Sequence, residues 1–306
     1  MKLPITQSGE WMNLQNDLGE TVHYETQDDF TYLAIEKTTP VGKYLYLPYG
    51  PVAETKYGLK SAINSLQNLD KDLIFIRVEP QNLDFLKIKP KNTKKSTDLC
   101  PKETWKLDLT GNEDDLKARL PSRLLRYYKN HEKNGLKIET SKDPGDIHYL
   151  LDLQKALAKE KGIKTFSEHY LATELKQDFA TLYIVKYTNP ETNKEEVIAA
   201  GLVFDYDDTR YNLQGAQTDT GRGLHATGIL TIQLILDAYK DGKTVFDFWG
   251  IAPEGAPKNH PWAGFTNFKK TFAGYEVDYA GTYDIVLKPA KYNLYKTLRK
   301  VRRHLG

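Results

Sequence analysis

Apolar positions along this chain change period repeatedly, and the changes mark its elements. Runs of strand-forming residues cover Thr21–Glu25, Thr31–Lys37 and Lys43–Pro48. Leu59, Ile63 and Leu66 then recur at helical spacing, which predicts a helix over Ala53–Leu69. Asp72–Val78 follows as a strand with four apolar residues in a row before Arg77, as expected when both faces of a strand are covered. Lys89–Thr97 is polar and lysine-rich and reads as a flexible loop. A return strand, Thr104–Leu109, closes the first part at Thr110-Gly111.

The second part opens with a short helix near Glu113–Leu120. Pro121 restarts a helix that Gly135 stops, since proline is tolerated in a first turn, where its missing N–H has no helical partner. A strand at Leu136–Thr140 and a helix from Asp146 to Lys161 follow, the latter ended by Gly162. Ser167 can cap a short helix that contains Tyr170. Strands at Thr181–Tyr187, Val197–Tyr206 and Arg210–Gln217 precede a long apolar helix, Ala226–Tyr239, and a buried strand, Val245–Trp249. A Pro/Gly/His loop leads to a short helix through Phe268-Lys269-Lys270-Thr271-Phe272, then to a long strand. A last helix, Ala290–His304, packs back on the first part.

The two parts share an order: a strand pair, a glycine-containing connection, a helix, and a short apolar strand ending in proline (KYLYLPYGPV…LIFIRVEP against RYNLQGAQTD…VFDFWGIAP). A duplicated mixed α/β unit explains this, because each copy can complete a sheet covered by helices. The expected division is 1–109 with 288–306 as one domain and 110–287 as the other.

Composition adds limits. The chain has 306 residues, 27% charged and 40% hydrophobic, which is globular rather than disordered. Its single cysteine, Cys100, excludes an intramolecular disulfide and a cysteine-based metal cluster, and has no neighbouring histidine to activate it. The seven histidines show no H-x-x-x-H spacing, so no metal site is expected. The N-terminus lacks the apolar run of a signal peptide, and the expected location is the cytoplasm. Net charge is only +2, so local clusters matter more: Lys117 to Lys129, and Lys296, Arg299, Lys300, Arg302 and Arg303. The second cluster could meet anionic lipid or RNA.

Several residues could carry chemistry. Acyl transfer from an ester to an amine passes through an oxyanion, and one positioned donor there contributes about 3 kcal/mol. Lys269, between Phe268 and Phe272, could supply it; spacing alone favours a surface lysine beside two core phenylalanines. Asp247 and Trp249 lie at a strand end, where α/β folds commonly face ligands; Asp247 could also simply close the loop. Glu79 ends the corresponding strand of the first part and could accept a proton or pair with Arg77. Arg123 and Arg126 share a helix face suited to phosphate oxygens, or form a solvated surface. Gly221 to Gly228 invites comparison with an acetyl-CoA pyrophosphate loop, but Thr220 or His225 stands where that loop needs Arg or Gln.

Taken together, D-F-W-G-I from Asp247, F-K-x-x-F from Phe268 and Y-x-G-x-Y from Tyr279 resemble the end of the Fem (FemABX) aminoacyl-tRNA-dependent transferases. Gln7-Ser8…Trp11, Leu107-Asp108-Leu109-Thr110 with the Leu-Pro-Ser-Arg helix, and Lys161-Gly162-Ile163 with Tyr170 extend the resemblance over most of the chain. It implies two GNAT-like acyltransferase domains with a site in the cleft between them, in the compact form without a coiled-coil arm. It implies transfer of an amino acid from aminoacyl-tRNA to the stem-peptide amine of a peptidoglycan precursor, with peripheral contact at the inner membrane surface. No cofactor is implied beyond aminoacyl-tRNA as co-substrate. Lys269 and Phe268 would stand at the acyl donor and Glu79 would take a proton. Tyr170, Tyr211, Gln214, Asp247 and Trp249 would line the substrate sites, and Arg123 and Arg126 would meet tRNA phosphates. Gln15 and Phe166 occupy positions where some members have basic residues for nucleotide phosphates, and Gln214 replaces a tyrosine, so a lipid-linked precursor fits as well as a UDP-linked one. The rivals are an acyl-CoA N-acyltransferase and a non-catalytic RNA- or precursor-binding protein.

Overall fold

In the first unit of the chain a short helix, Gly9–Asp17, is capped by Ser8, whose Oγ accepts from Trp11 N at 3.1 Å. The pattern of apolar residues did not reveal this helix. The chain here is known as a computed structural model that describes residues 1–161, 165–257, 259–260 and 262–305, with no side-chain description for 160, 161 and 302–305. Gly162 and Ile163, and the side chains of Lys161, Arg302 and Arg303, therefore lie outside the described residues. Two units emerge: Met1–Glu103 with Asp278–Gly306, and Thr104–Val277. The ends of these units fall at 103/104 and 277/278, where the sequence suggested 109/110 and 287/288.

The first unit's strands are β1 (Val22–Thr26), β2 (Phe30–Thr39), β3 (Gly42–Leu47), β4 (Val52–Ala53), β5 (Leu73–Val78) and β6 (Thr93–Lys95), with a late strand, β14 (Tyr283–Val286). Their order is β1-β2-β3-β5-β14-β6, with β4 against β2. β3 and β5 run parallel, and the helix Lys56–Asn68 makes the crossover, burying Leu59, Ile63 and Leu66. The Lys89–Thr97 segment is not wholly a loop, because β6 within it pairs antiparallel with β14. That partner lies far along the chain, and β6 is an edge strand whose lysines suit a solvent-facing margin. The helix Pro289–Leu305 returns to this unit as expected: Tyr292 and Tyr295 pack on Phe75, with ring centroids 5.3 and 5.0 Å away.

The second unit holds β7 (Glu103–Asp108), β8 (Leu136–Ser141), β9 (Ala180–Thr188), β10 (Glu195–Tyr206), β11 (Thr209–Gln217), β12 (Val245–Gly250) and β13 (Tyr275–Asp278), ordered β13-β7-β12-β11-β10-β9-β8. β11 and β12 are parallel, and the helix Ala226–Lys240 connects them. That helix is apolar on almost every side because it lies in the core, where Ile232, Ile235 and Ala238 are fully buried. Ser167 caps the helix Glu168–Leu175 by accepting from Tyr170 N, and Gly135 ends the preceding turn with φ 76°.

Each unit thus has the same plan, antiparallel strands followed by one crossover through a helix to a parallel strand, as the repeated sequence order suggests. The mixed α/β class is as expected. A further element differs: the long strand expected after Phe272 is two short ones, β13 and β14, which belong to different sheets, with Gly281 at φ 81° between them.

β5 contains a charge. Arg77 and its directly paired residue Asp284 on β14 are 1% and 0% exposed, joined by Nε–Oδ1 at 2.7 Å and Nη2–Oδ2 at 2.9 Å. Removing one member leaves the other buried and uncompensated, so Asp284→Ala should cost about 3–5 kcal/mol in urea unfolding of the whole chain. The double replacement Arg77→Met with Asp284→Leu should recover most of that loss; a double variant no more stable than Asp284→Ala would show that the pair is not the source of the effect.

Candidate active site

β12 alternates. Phe246 and Phe248 enter the core, while Asp247 between them faces the other side and is 1% exposed. Its Oδ1 accepts from Trp249 N at 2.8 Å and its Oδ2 lies 3.3 Å from Lys106 Nζ on β7. Trp249 has φ 67°, and the pairing of β12 with β7 is irregular between Asp247 and Gly250. A left-handed backbone at so bulky a residue costs about 1–3 kcal/mol, and the Asp247 carboxylate helps to hold it. The indole stands edge-on to Tyr211, centroids 6.1 Å apart.

The irregular turn presents the Gly250 carbonyl to the helix Ala263–Lys270, where Lys269 Nζ donates to it at 2.6 Å. One helical turn earlier, Thr266 Oγ1 accepts from Ala252 N at 2.7 Å. Residues three apart share a helix face, so these two bonds fix one side of the helix to the segment after β12. The other side is fixed by aromatic packing, Phe268 to Phe272 at 5.4 Å and Phe272 to Phe248 at 5.0 Å. Phe268 therefore orients the helix that carries Lys269. Burial pulls the Lys269 ammonium down to about 8, while the Asp247 carboxylate opposes that fall. Burial pushes Asp247 up, against the pull of Lys106 and the Trp249 N–H. An ammonium has three N–H donors, and the Gly250 carbonyl engages one, so the group can still donate to an oxygen that gains charge.

The other expected residues fall in separate places. Gln214, also on β11, donates to Glu174 Oε2 at 3.1 Å and accepts from Gln154 at 3.0 Å. Glu174 is 2% exposed, and burial raises it to about 8 although Tyr170 bonds to it and lowers it. Tyr170 stacks on the exposed Phe166 at 5.0 Å. Arg123 and Arg126 are exposed and flank Tyr127, with the guanidinium carbons 5.5 and 5.6 Å from its ring. The same ring stacks on His225 at 4.4 Å.

Glu79, in the first unit, is 3% exposed and densely bonded. Oε1 accepts from Leu99 N, Cys100 N and Thr282 Oγ1, and Oε2 from Tyr46 at 2.7 Å. These donors occupy most of its acceptor capacity. Burial and the neighbouring Glu79 charge raise the Cys100 thiol, which keeps it protonated and unreactive.

Sequence reasoning missed Lys106, Thr266 and Glu174. Glu174 left a signal, since it lies four residues after Tyr170 on a capped helix. Lys106 left none, because its link to Asp247 depends on the pairing of two strands far apart in the chain.

Set beside solved structures, the chain shares its fold over nearly its full length with "FemX", at a TM-score of 0.80 and 17% identity, covering 95% of this chain and 94% of that one. The C-terminal domain of a putative lysylphosphatidylglycerol synthetase from Agrobacterium fabrum follows at 0.60 and 13% identity, covering 95% and 92%. L-PGS from Bacillus licheniformis matches at 0.56 and 13%, covering 99% of each chain. The chain therefore has the fold of these structures, built from two mixed α/β units. Residues 152–300, which include Lys269 and the whole C-terminal block, match the model of the FemAB family. No curated protein sequence matches the chain.

The depressed lysine makes stability depend on pH. Folded Lys269 gives up its proton near 8, whereas the unfolded side chain keeps it to 10.5. Between these values the unfolded state binds more protons, so stability from this group rises with pH. Urea unfolding should show the unaltered chain gaining stability relative to Lys269→Met as pH is raised through that window. A constant difference between the two would mean that the lysine is not depressed.

Proposed function

We propose that this protein is an aminoacyltransferase that moves an amino acid from aminoacyl-tRNA to the side-chain amine of a peptidoglycan precursor stem peptide. The observation that carries the reading is Lys269, half-buried and held on the Gly250 carbonyl beside Asp247, within the segment that matches the FemAB family. The fold shared with FemX is consistent with it.

In this reading the neutral amine attacks the ester carbonyl of the charged tRNA. A C–N bond forms as the carbonyl oxygen takes up negative charge, and Lys269 donates to that oxyanion. The intermediate then collapses, the C–O bond to the terminal ribose breaks, and the amine's proton passes to the departing ribose oxygen. That route needs no carboxylate, which suits the bonding of Glu79: its role is to hold the Leu99–Cys100 backbone and Tyr46 in place. Tyr170, Tyr211 and Trp249 offer flat apolar walls with polar tips for the acceptor peptide, and Gln214 offers a side-chain amide. Asp247 fixes the Trp249 turn. Arg123 and Arg126 contact phosphates of the acceptor stem, whose recognition rests on backbone and shape.

Transfer of labelled amino acid from single charged tRNAs to lipid-linked and UDP-linked precursors tests the reading. Lys269→Ala should lower the rate about 100- to 1,000-fold and leave precursor binding in place. Because Lys269 must be an ammonium while the attacking amine must be neutral, the rate should rise with pH and level off above about 8. Glu79→Gln should lower the melting temperature more than the rate per folded molecule. Absence of transfer to either precursor, or label appearing in phosphatidylglycerol instead, would overturn the proposed acceptor. An unchanged rate in Lys269→Ala would overturn the mechanism.

A further inference from the structure

The helix Pro289–Leu305 carries two different apolar faces. Tyr292 and Tyr295 form one, 1% and 9% exposed against Phe75, and they fix the helix on its unit. Leu294, Leu298 and Val301 form the other, at i, i+4 and i+7, and they are 51%, 42% and 51% exposed. Three large aliphatic side chains in line on one helix face are unlike the scattered single exposures normal for a protein surface.

The charge around this stripe is equally one-sided. Residues 288–306 contain seven Lys or Arg and no Asp or Glu, in a chain whose net charge is only +2. Lys291, Lys296 and Lys300 are exposed along the same helix. A basic helix with an aliphatic stripe has the chemistry of a segment that lies in the interface of an anionic bilayer: the cations meet lipid phosphates while the aliphatic groups enter the acyl boundary. We propose that this helix docks the protein on an anionic lipid surface through Leu294, Leu298 and Val301.

Other occupants fit less well. RNA would engage the cations, but it is bound through phosphates, ribose hydroxyls and stacking on aromatic or guanidinium planes, and gives leucine and valine nothing to bury against. A second copy of the chain would bring two like-charged helices together with no acidic counter-surface on either. Crossing the bilayer is not at issue, since no described helix is long and apolar enough for that. The inference stands apart from the proposed transfer reaction, because it requires no turnover.

The full-length protein should be sedimented with vesicles of pure phosphatidylcholine and with vesicles containing about one third phosphatidylglycerol. The expected result is partition onto the anionic vesicles only, falling steeply as salt is raised from about 0.1 to 1 M and the screening length shrinks. Leu294→Gln with Leu298→Gln keeps helix propensity and charge, and should weaken partition about tenfold or more with no change in thermal melting. Lys291→Glu with Lys296→Glu should weaken it as well. Equal partition onto both vesicle types, undiminished binding of the glutamine variant, or a dimer that the glutamine variant dissociates would each overturn the proposal. None of these readouts uses transfer activity, so their failure and the failure of the enzymatic reading are separately visible.

Discussion

A guanidinium buried in the middle of a strand constrains much of the first unit. β5 is covered on both faces, and an unpaired Arg77 there would carry a desolvation penalty that the rest of the strand could not offset. The pairing carboxylate comes from Asp284, 207 residues later in the chain. Asp284 Oδ2 also accepts from the Tyr292 hydroxyl at 2.8 Å, which brings the last helix into the same network. One ion pair therefore fixes the register of β14 on β5, gives β6 a strand to pair with, and seats the helix whose other face is exposed.

In the second unit a carboxylate does a different task. Asp247 is flanked by two lysines, and their situations diverge. Lys106 reaches it across a strand pair, whereas Lys269 arrives on a helix held by Thr266 on one side and Phe268 and Phe272 on the other. The local strain at Trp249 connects them, since the same carboxylate that supports the left-handed turn also sets the field felt by Lys269. Burial wins over that field, and the ammonium is left easier to deprotonate than an ordinary lysine.

Much of the fold was legible because its information is local. Helical spacing, the Ser167 cap and the repeated strand–helix–strand order all act within a few residues, and each appears where the sequence put it, whereas the helix expected to run to Gly135 ends at Lys129 and Gly135 closes a separate short turn. β6 and the division of the last strand were not legible, because both are decided by partners nearly two hundred residues away or by a single left-handed glycine. The site shows the same split. Phe268, Lys269, Asp247 and Trp249 stood out as a motif and share one locality, and Tyr211 joins them through β11. Lys106, Thr266 and Glu174 are ordinary residues whose importance comes from what lies across the sheet or along the helix. Glu79 was visible as a carboxylate at a strand end, but its saturation by Tyr46, Thr282 and two backbone N–H groups depends on three separate segments.

The late position of β14 has a consequence for synthesis on the ribosome. The second unit is contiguous in the chain, and all of its residues have been joined by position 277. The first unit begins earlier yet lacks the strand between β5 and β6 until Tyr283–Val286 is made. Chains lengthen at about 5–20 residues per second, so a nascent molecule spends many seconds with Arg77 made and its carboxylate not yet in existence. The unit translated first is thus the one that can be completed last.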